Sequence, residues 1–329
     1  MKYVNLGNSG LRVSRICFGV MTYGSKEKRP WALSEDEARP YIRKALEGGI
    51  NFFDTAEMYQ NGESEEILGR ALRDYASHRE DVIIASKVFS GTVNRKENRF
   101  GLSRKHILHQ IDQSLRRLQT DYIDLYQTHR WDYNTPIEET LDALNDVVHS
   151  GKVRYIGASS MWAWQFERAL NTSNQYGYAG FISMQNYYNL VYREEEREMI
   201  PLCRDRGIGI IPWSPLARGF LGGNLNKDGS GNTIRGQTDK LFKAEGRDLE
   251  NDYEILDRVN EVAEQQGKSP AQIALAWLLA QPGLTAPITS ATQMEHLEQA
   301  IAAVDIELTQ EQIDYLAEPY QPHVVIGHK

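Results

Sequence analysis

Short apolar runs alternate along the chain with segments of helical periodicity. Residues 2–6 and 11–16 are strand-like, and the turn residues between them, Gly7-Asn8-Ser9-Gly10, predict a β-hairpin. Eight further strands are predicted at residues 17–21, 51–56, 82–88, 122–126, 153–158, 181–185, 209–213 and 284–289. Helices are predicted at residues 34–47, 64–72, 103–118, 135–151, 164–170, 194–206, 251–266, 270–280, 293–303 and 309–316. Two helix starts carry caps: Ser34 with Glu37 forms a capping box, and Thr135 precedes Pro136.

This alternation predicts one α/β domain over residues 1–329. Strands that alternate with helices are parallel and joined by right-handed crossovers, and eight such units favour a closed (β/α)8 TIM barrel. The N-terminal hairpin and extra C-terminal helices are additions to that barrel. A doubly wound sheet is the alternative, but the Gly-x-Gly-x-x-Gly turn that it needs after its first strand is missing.

Residues 215–250 break the alternation. This polar, glycine-rich segment is too long for an idle connection, so we interpret it as a functional flap. Asn224, Asn226 and Asp228 resemble the start of a calcium-binding loop, but its twelfth position is Arg235 rather than glutamate. No calcium site is therefore expected.

Composition and charge exclude several classes of function. Hydrophobic residues make up 41% of the chain, enough for a large core, but no run approaches the length of a membrane span. The net charge of -8 disfavours nucleic acid as a partner. Two cysteines, Cys17 and Cys203, and no apolar N-terminal stretch indicate a reduced, cytoplasmic setting.

Polar residues end three consecutive predicted strands: Asp54, Lys87 and His129. Active sites of parallel barrels form at the C-terminal ends of the strands, so these side chains are expected at one rim, with Tyr59 in the loop after Asp54. Each has a structural explanation on its own, as a helix cap, a surface lysine, a core histidine or a loop aromatic. Together, four titratable groups at one barrel mouth favour a catalytic site.

Hydride transfer to a carbonyl suits these four residues. Negative charge develops on the carbonyl oxygen, so a proton donor and a hydrogen-bond donor are needed there. Tyr59 can donate the proton, because a neighbouring ammonium stabilises a phenolate, and Lys87 would supply that charge. Asp54 would keep Lys87 ionised, and a neutral His129 would orient the oxygen. No pattern of a serine or cysteine nucleophile competes.

The motifs DTAEMY, SKV, DLYQTH, GASS, MQNYYNL and PWSPLARGFLGG together resemble the aldo-keto reductase superfamily over nearly the whole chain. The opening FGVMTYGS and the tail EPYQPHVVIGHK are similar to the branch that contains versiconal hemiacetal acetate reductase and aryl-alcohol reductase-like proteins. The resemblance implies an NADP(H)-dependent reductase of aldehydes or ketones, with Asp54, Tyr59, Lys87 and His129 as the catalytic tetrad.

The resemblance also implies where the cofactor binds. Ser159, Ser160 and Gln185 match residues that contact the nicotinamide carboxamide, although Ser160 replaces a frequent asparagine, and Trp213 matches an aromatic residue that stacks on the ring. The segment that wraps the pyrophosphate would include Ser214, Leu216, Gly219 and Leu221. The 2′-phosphate would be held at Ser290, Thr292, Gln293 and His296.

This last stretch lacks the frequent lysine or arginine, and Ala300 replaces an asparagine expected near adenine. Hydroxyl and amide donors with a helix N-terminus at Gln293 can still hold a phosphate, so we expect a modest preference for NADPH over NADH.

A rival function from another class is a weakly catalytic NADPH-binding subunit that senses redox state, as in the potassium-channel β subunits that resemble this superfamily. A different rearrangement or synthase activity on the same barrel also stays open.

Other signals carry less weight. His106 and His109 have no third ligand nearby, so we expect them to be solvated and predict no metal site. Six aromatic residues in loops after strands could line a substrate pocket or only pack the loops: Tyr23, Trp31, Phe89, Trp131, Tyr133 and Trp162. The sequence leaves open which small-molecule carbonyl is the substrate and what the oligomeric state is.

Overall fold

The computed structural model describes residues 1–91, 97–223, 234 and 250–328. The strands are β1 (Tyr3–Asn5), β2 (Arg12–Ser14), β3 (Cys17–Gly19), β4 (Phe52–Asp54), β5 (Ile83–Val88), β6 (Ile123–Thr128), β7 (Val153–Ser159), β8 (Phe181–Gln185), β9 (Gly209–Ile210) and β10 (Ile288–Thr289). The α-helices are α1 (Glu35–Glu47), α2 (Glu63–Tyr75), α3 (Arg104–Leu118), α4 (Ile137–His149), α5 (Ala163–Tyr176), α6 (Met199–Arg206), α7 (Glu250–Gln266), α8 (Pro270–Leu279), α9 (Met294–Ala303) and α10 (Gln310–Ala317).

Eight strands form one parallel sheet in the order β10-β3-β4-β5-β6-β7-β8-β9. Backbone hydrogen bonds join its two ends, from Thr285 N to Ile210 O (2.8 Å) and from Ile288 N to Pro212 O (2.9 Å). The predicted (β/α)8 barrel is therefore confirmed. The N-terminal hairpin is also confirmed, with β1 and β2 antiparallel.

The barrel interior is apolar below the level of the site. Its buried cluster includes Leu6, Phe52, Ala85, Leu125 and Ile211. A larger cluster lies between the sheet and the surrounding helices. This close packing holds the strand ends in fixed relative positions, so that side chains at those ends are well placed for a site.

Several helix ends differ from the predicted bounds, and the largest difference is at α5, which was predicted at residues 164–170 and extends to Tyr176. The capping box at Ser34 and Glu37 forms as predicted. The Thr135 hydroxyl donates to Asp132 (2.8 Å) instead of capping a helix, and α4 therefore begins one residue later than predicted, at Ile137.

The helix predicted at residues 194–206 is divided. Glu194–Glu196 is a 3-10 turn, and α6 starts at Met199. Proline lacks an N–H and clashes with the carbonyl four residues before it, so a position in the first turn of a helix is less costly for Pro201 than one in the interior. α1 accepts an interior proline, Pro40, at that cost.

The predicted flap at residues 215–250 lies mostly outside the described residues, and so do Asn224, Asn226, Asp228 and Arg235. Its first part contains the 3-10 turn Ala217–Gly222. No helix in the described ranges has both the length and the apolar character that crossing a membrane requires.

Candidate active site

Asp54, Lys87 and Tyr59 lie in direct contact at the C-terminal ends of β4 and β5. The Lys87 ammonium donates to Asp54 Oδ1 (2.5 Å) and to the carbonyl oxygen of Thr55 (2.7 Å). The Tyr59 hydroxyl oxygen accepts a longer hydrogen bond from the same ammonium (3.4 Å). Lys87 is fully buried, so its ammonium interacts with these protein groups rather than with solvent.

The Lys87 ammonium stays charged in spite of its burial. Burial by itself lowers the pKa of an ammonium, but the Asp54 carboxylate and Tyr59 outweigh it, and the pKa of Lys87 lies above its ordinary value. A buried lysine without such partners would shift toward its neutral form. The Asp54–Lys87 pair therefore keeps a permanent cation beside the Tyr59 hydroxyl.

A strained turn presents Tyr59 to the barrel mouth. Tyr59 is half-buried and begins the 3-10 turn Tyr59–Gly62. Gln60 (φ 52°) and Asn61 (φ 58°) both adopt left-handed backbone conformations, which are unfavourable for residues other than glycine. Such strain persists where the surrounding structure holds a side chain in one required position.

His129 lies beside Tyr59 just after β6. The two rings meet edge to face, with their centroids 5.8 Å apart. Burial, Lys87 and Arg130 together hold the pKa of His129 well below its ordinary value, so the imidazole is neutral at pH 7. Its buried Nδ1 atom has no hydrogen-bond partner among the described residues. The four residues predicted as a tetrad are thus brought together.

Two glutamines complete the surroundings of Asp54. Gln127 Nε2 and Gln185 Nε2 both donate to Asp54 Oδ2, at 3.1 Å and 3.0 Å. Gln185 Nε2 also contacts Gln127 Oε1 (3.1 Å). Sequence reasoning missed Gln127. The available signal was its position two residues before His129 and two after the interior residue Leu125, which places it on the inward face of β6.

The residues expected at the nicotinamide adjoin this network. Ser159 Oγ donates to the Gln185 carbonyl oxygen (2.7 Å), and Trp213 Nε1 donates to Ser160 Oγ (3.1 Å). The Tyr187 ring stacks on the Trp213 indole with centroids 4.4 Å apart. One face of the indole is therefore covered by protein.

The segment expected at the pyrophosphate has an unusual backbone. Ser214 (φ 52°), Arg218 (φ 56°) and Gly219 (φ 101°) all have positive φ angles. The side chains of Leu216 and Leu221 pack into the cluster formed with α7 and α8, so any contact from them to a ligand would come from the backbone.

The stretch expected at the 2′-phosphate lies at the start of α9. Ser290 Oγ and Thr22 Oγ1 are 2.6 Å apart, and the Thr292 carbonyl oxygen accepts a hydrogen bond from Tyr41. Gln293 is the N-cap of α9, without a side-chain capping bond. His296 is half-buried in the first turn of the helix.

One expectation about other residues is wrong, and one alternative is decided. His106 is buried rather than solvated, with Nε2 3.7 Å from Glu57 Oε2, because it lies on the inner face of α3. Tyr23, for which pocket lining and packing were both open, is fully buried in the core and donates to the Ala291 carbonyl oxygen, so it has a packing role. His109 is exposed, as expected. The described part of the chain contains no group of three metal-ligating side chains.

The C-terminal tail, residues 321–328, reaches the same mouth. His328 Nε2 lies 3.0 Å from Glu195 Oε1, and the Trp162 ring contacts the imidazole. Tyr133, which is 61% exposed, donates to the His328 carbonyl oxygen. A Cβ at Gly327 would be 3.6 Å from the Trp213 ring, so the tail passes beside the indole.

Comparison with known proteins agrees with this geometry. The Aldo/keto reductase family matches residues 15–321. The chain is 47% identical to versiconal hemiacetal acetate reductase of Aspergillus parasiticus, with 99% of this chain and 98% of the relative covered. It is 44% identical to a putative aryl-alcohol dehydrogenase of Schizosaccharomyces pombe (99% and 97% covered) and 42% identical to one of Saccharomyces cerevisiae (98% of each). The chain therefore belongs to the aldo/keto reductase family and is an oxidoreductase.

Proposed function

We propose that this protein is a cytoplasmic NADPH-dependent reductase that converts aldehydes or ketones to alcohols on a single barrel domain. The observation that carries the proposal is the buried Lys87 ammonium, which touches both Asp54 and Tyr59. A fixed positive charge beside a phenol is the arrangement that proton donation to a developing alkoxide requires.

Each member of the tetrad has one task in this reaction. NADPH, when bound, would supply the hydride that the carbonyl carbon accepts. The Tyr59 hydroxyl gives its proton to the carbonyl oxygen, and the Lys87 ammonium stabilises the phenolate that remains. Asp54 holds Lys87 in place, and neutral His129 orients the oxygen. Solvent then returns a proton to Tyr59.

The chain's residues fit such a cofactor in three respects. Trp213 has one face covered by Tyr187, and the nicotinamide would stack on the opposite face. The positive φ angles at Ser214 and Arg218 are strain of the kind found where backbone is fixed around a ligand. The N-terminus of α9 would bind the 2′-phosphate through the residues from Ser290 to His296.

Relatives suggest which carbonyls to test. Two of them are called putative aryl-alcohol dehydrogenases and one a reductase of versiconal hemiacetal acetate. We therefore propose aromatic aldehydes as the first substrates to assay with NADPH.

The decisive experiment removes the Tyr59 hydroxyl. In Tyr59→Phe, kcat for reduction of 4-nitrobenzaldehyde should fall by about 10²-fold or more, because general acid catalysis contributes that much. Tyr3→Phe is the matched control, since it removes a hydroxyl of the N-terminal hairpin that bonds the Gly49 carbonyl oxygen, and it should keep kcat. Undiminished turnover in Tyr59→Phe would refute the role of Tyr59. Slow wild-type turnover with tightly retained cofactor would instead favour a redox-sensing subunit.

A further inference from the structure

Arg130 is a half-buried cation that no carboxylate neutralises among the residues that the structure describes. It follows His129 directly, and its Nη1 donates to the His129 carbonyl oxygen (2.6 Å). No aspartate or glutamate oxygen of the described residues lies within 4.0 Å of its guanidinium. Within that part of the chain, its one acceptor is thus the neutral carbonyl of the adjacent residue.

Several other half-buried arginines have more partners, and Arg15, which has no carboxylate among the described residues, donates to three carbonyl oxygens, those of Leu279, Leu284 and Thr285. Arg79 pairs with Asp124, Arg117 with Glu65 and Arg193 with Glu196. A guanidinium that is partly withdrawn from water loses hydration, and structural arginines recover that loss through a carboxylate or through several carbonyl oxygens. Among the described residues Arg130 has one carbonyl acceptor, which leaves most of its N–H groups able to bind a ligand.

Arg130 acts on the reaction centre rather than on the outer surface. Its guanidinium interacts electrostatically with both His129 and Tyr59. The nearby charges of Lys87 and Asp54 cancel each other, and His129 is neutral. Among these four residues beside Tyr59, the uncompensated positive charge is therefore that of Arg130.

We propose that Arg130 binds a carboxylate carried by the carbonyl substrate, and that the enzyme prefers aldehydes or ketones with such an anionic group. This inference rests on the proposed reductase function. The planar guanidinium matches a carboxylate with two parallel hydrogen bonds, and a carboxylate would provide the missing counter-charge. The cofactor contacts proposed above involve β7, β8 and β9 and the loops that follow β9 and β10, whereas Arg130 follows β6.

Two matched aldehydes test the proposal: 4-formylbenzoate and its neutral methyl ester. The measured quantity is kcat/KM for 4-formylbenzoate divided by kcat/KM for the ester, and comparing this ratio between variants cancels the intrinsic reactivity of each aldehyde. In Arg130→Met the ratio should fall by about tenfold or more, as expected when a charge-assisted pair is lost. Arg130→Lys keeps the positive charge but cannot form the two parallel hydrogen bonds of a guanidinium, so it should give an intermediate ratio. Arg116→Met removes an exposed arginine of α3 and should keep the wild-type ratio.

Other results of these assays would overturn the proposal or require a binding measurement instead. An unchanged ratio in a folded Arg130→Met protein would overturn the proposal. A raised Kd for NADPH with an unchanged ratio would do the same and would make Arg130 a cofactor residue. If the wild type reduced neither aldehyde, the reductase function would fail, and binding of 4-(hydroxymethyl)benzoate, followed by tryptophan fluorescence, would still test Arg130. Its Kd should rise about tenfold in Arg130→Met, and an unchanged Kd would overturn the inference.

Discussion

Asp54 accepts hydrogen bonds from three side chains on three different strands. Lys87 on β5 binds one carboxylate oxygen, and Gln127 on β6 and Gln185 on β8 bind the other. A buried carboxylate is tolerated when it is paired and its remaining lone pairs are satisfied. Asp54 therefore acts as a junction that fixes Lys87 relative to the opposite side of the barrel.

Substituting Gln127 tests this junction. Gln127→Leu removes one donor to Asp54 and should lower the free energy of unfolding by about 1–3 kcal/mol, because a buried charged acceptor loses a partner. It should also lower kcat, since Asp54 positions Lys87. Denaturant unfolding and NADPH oxidation measure the two effects.

Gln110→Leu is the matched control for Gln127→Leu. Gln110 is also buried, but its amide nitrogen has no hydrogen-bond partner among the described residues. This variant should therefore keep the wild-type kcat. A Gln127→Leu protein with wild-type kcat would show that Asp54 does not need the second donor.

His129 should make stability depend on pH. The pKa of His129 in the folded protein is well below its ordinary value of 6.5, mainly because of burial. Between these two pKa values the unfolded chain binds a proton that the folded chain does not. The contribution of His129 is thus fully present above about pH 6.5 and is lost as the pH falls, by up to about 1.4 kcal/mol per pH unit.

The slope of unfolding free energy between pH 7 and pH 5 measures this effect. It should be shallower in His129→Gln than in the wild type. His109→Gln, which changes an exposed histidine of α3, should keep the wild-type slope. Equal slopes for the wild type and His129→Gln would contradict the neutral, buried state of this imidazole.

At the scale of elements, the backbones of α2 and α3 approach each other closely at Gly69. A Cβ at Gly69 would lie 2.7 Å from the Cα of Leu118 and still closer to its carbonyl group. Alanine is the better helix former by about 1 kcal/mol, yet the clash with backbone atoms cannot be relieved by a side-chain rotation. Packing between helices therefore decides which residue this position accepts.

Gly69→Ala should accordingly destabilise the protein by about 1–3 kcal/mol, measured by denaturant unfolding. Gly180→Ala is the control, because a Cβ there has no neighbour within 4 Å, and its effect should be small. A stabilised Gly69→Ala protein would mean that α2 and α3 separate without cost.

At the scale of the whole molecule, cofactor binding should raise thermal stability. A ligand that binds only the folded state stabilises it by about 2.7 kcal/mol at 100 times its Kd. At equal concentrations NADPH should raise the Tm more than NADH does, because only NADPH carries the 2′-phosphate proposed to bind near Ser290. Equal shifts, or a larger one with NADH, would contradict this preference.

The variant Ser290→Asp tests the same preference. Ser290 is exposed at the start of the segment that leads to α9. A carboxylate there should repel the 2′-phosphate and abolish the difference between the two Tm shifts. If the difference persisted, the 2′-phosphate would bind elsewhere.

The sequence by itself determined the order of elements and the positions of the catalytic candidates. Hydrophobic residues recur about every two positions in strands and about every 3.6 in helices, and this pattern can be read from local sequence alone. It therefore predicted the barrel and the rim positions of Asp54, Lys87 and His129. Helix boundaries were less certain, because Thr135 bonded Asp132 and Pro201 displaced the start of α6. Both corrections depend on contacts or backbone geometry that hydrophobic periodicity does not contain.

Only the tertiary structure decided which polar groups share a partner and which stand alone. Gln127 is 73 residues from Asp54 and binds it, and His106 is buried against Glu57. Arg130 has no carboxylate partner among the described residues. These relations arise because closing the barrel brings distant strand ends within hydrogen-bond distance. Sequence patterns fix which residues face inward, whereas the energies of burial and charge pairing depend on the neighbours that the closed barrel provides.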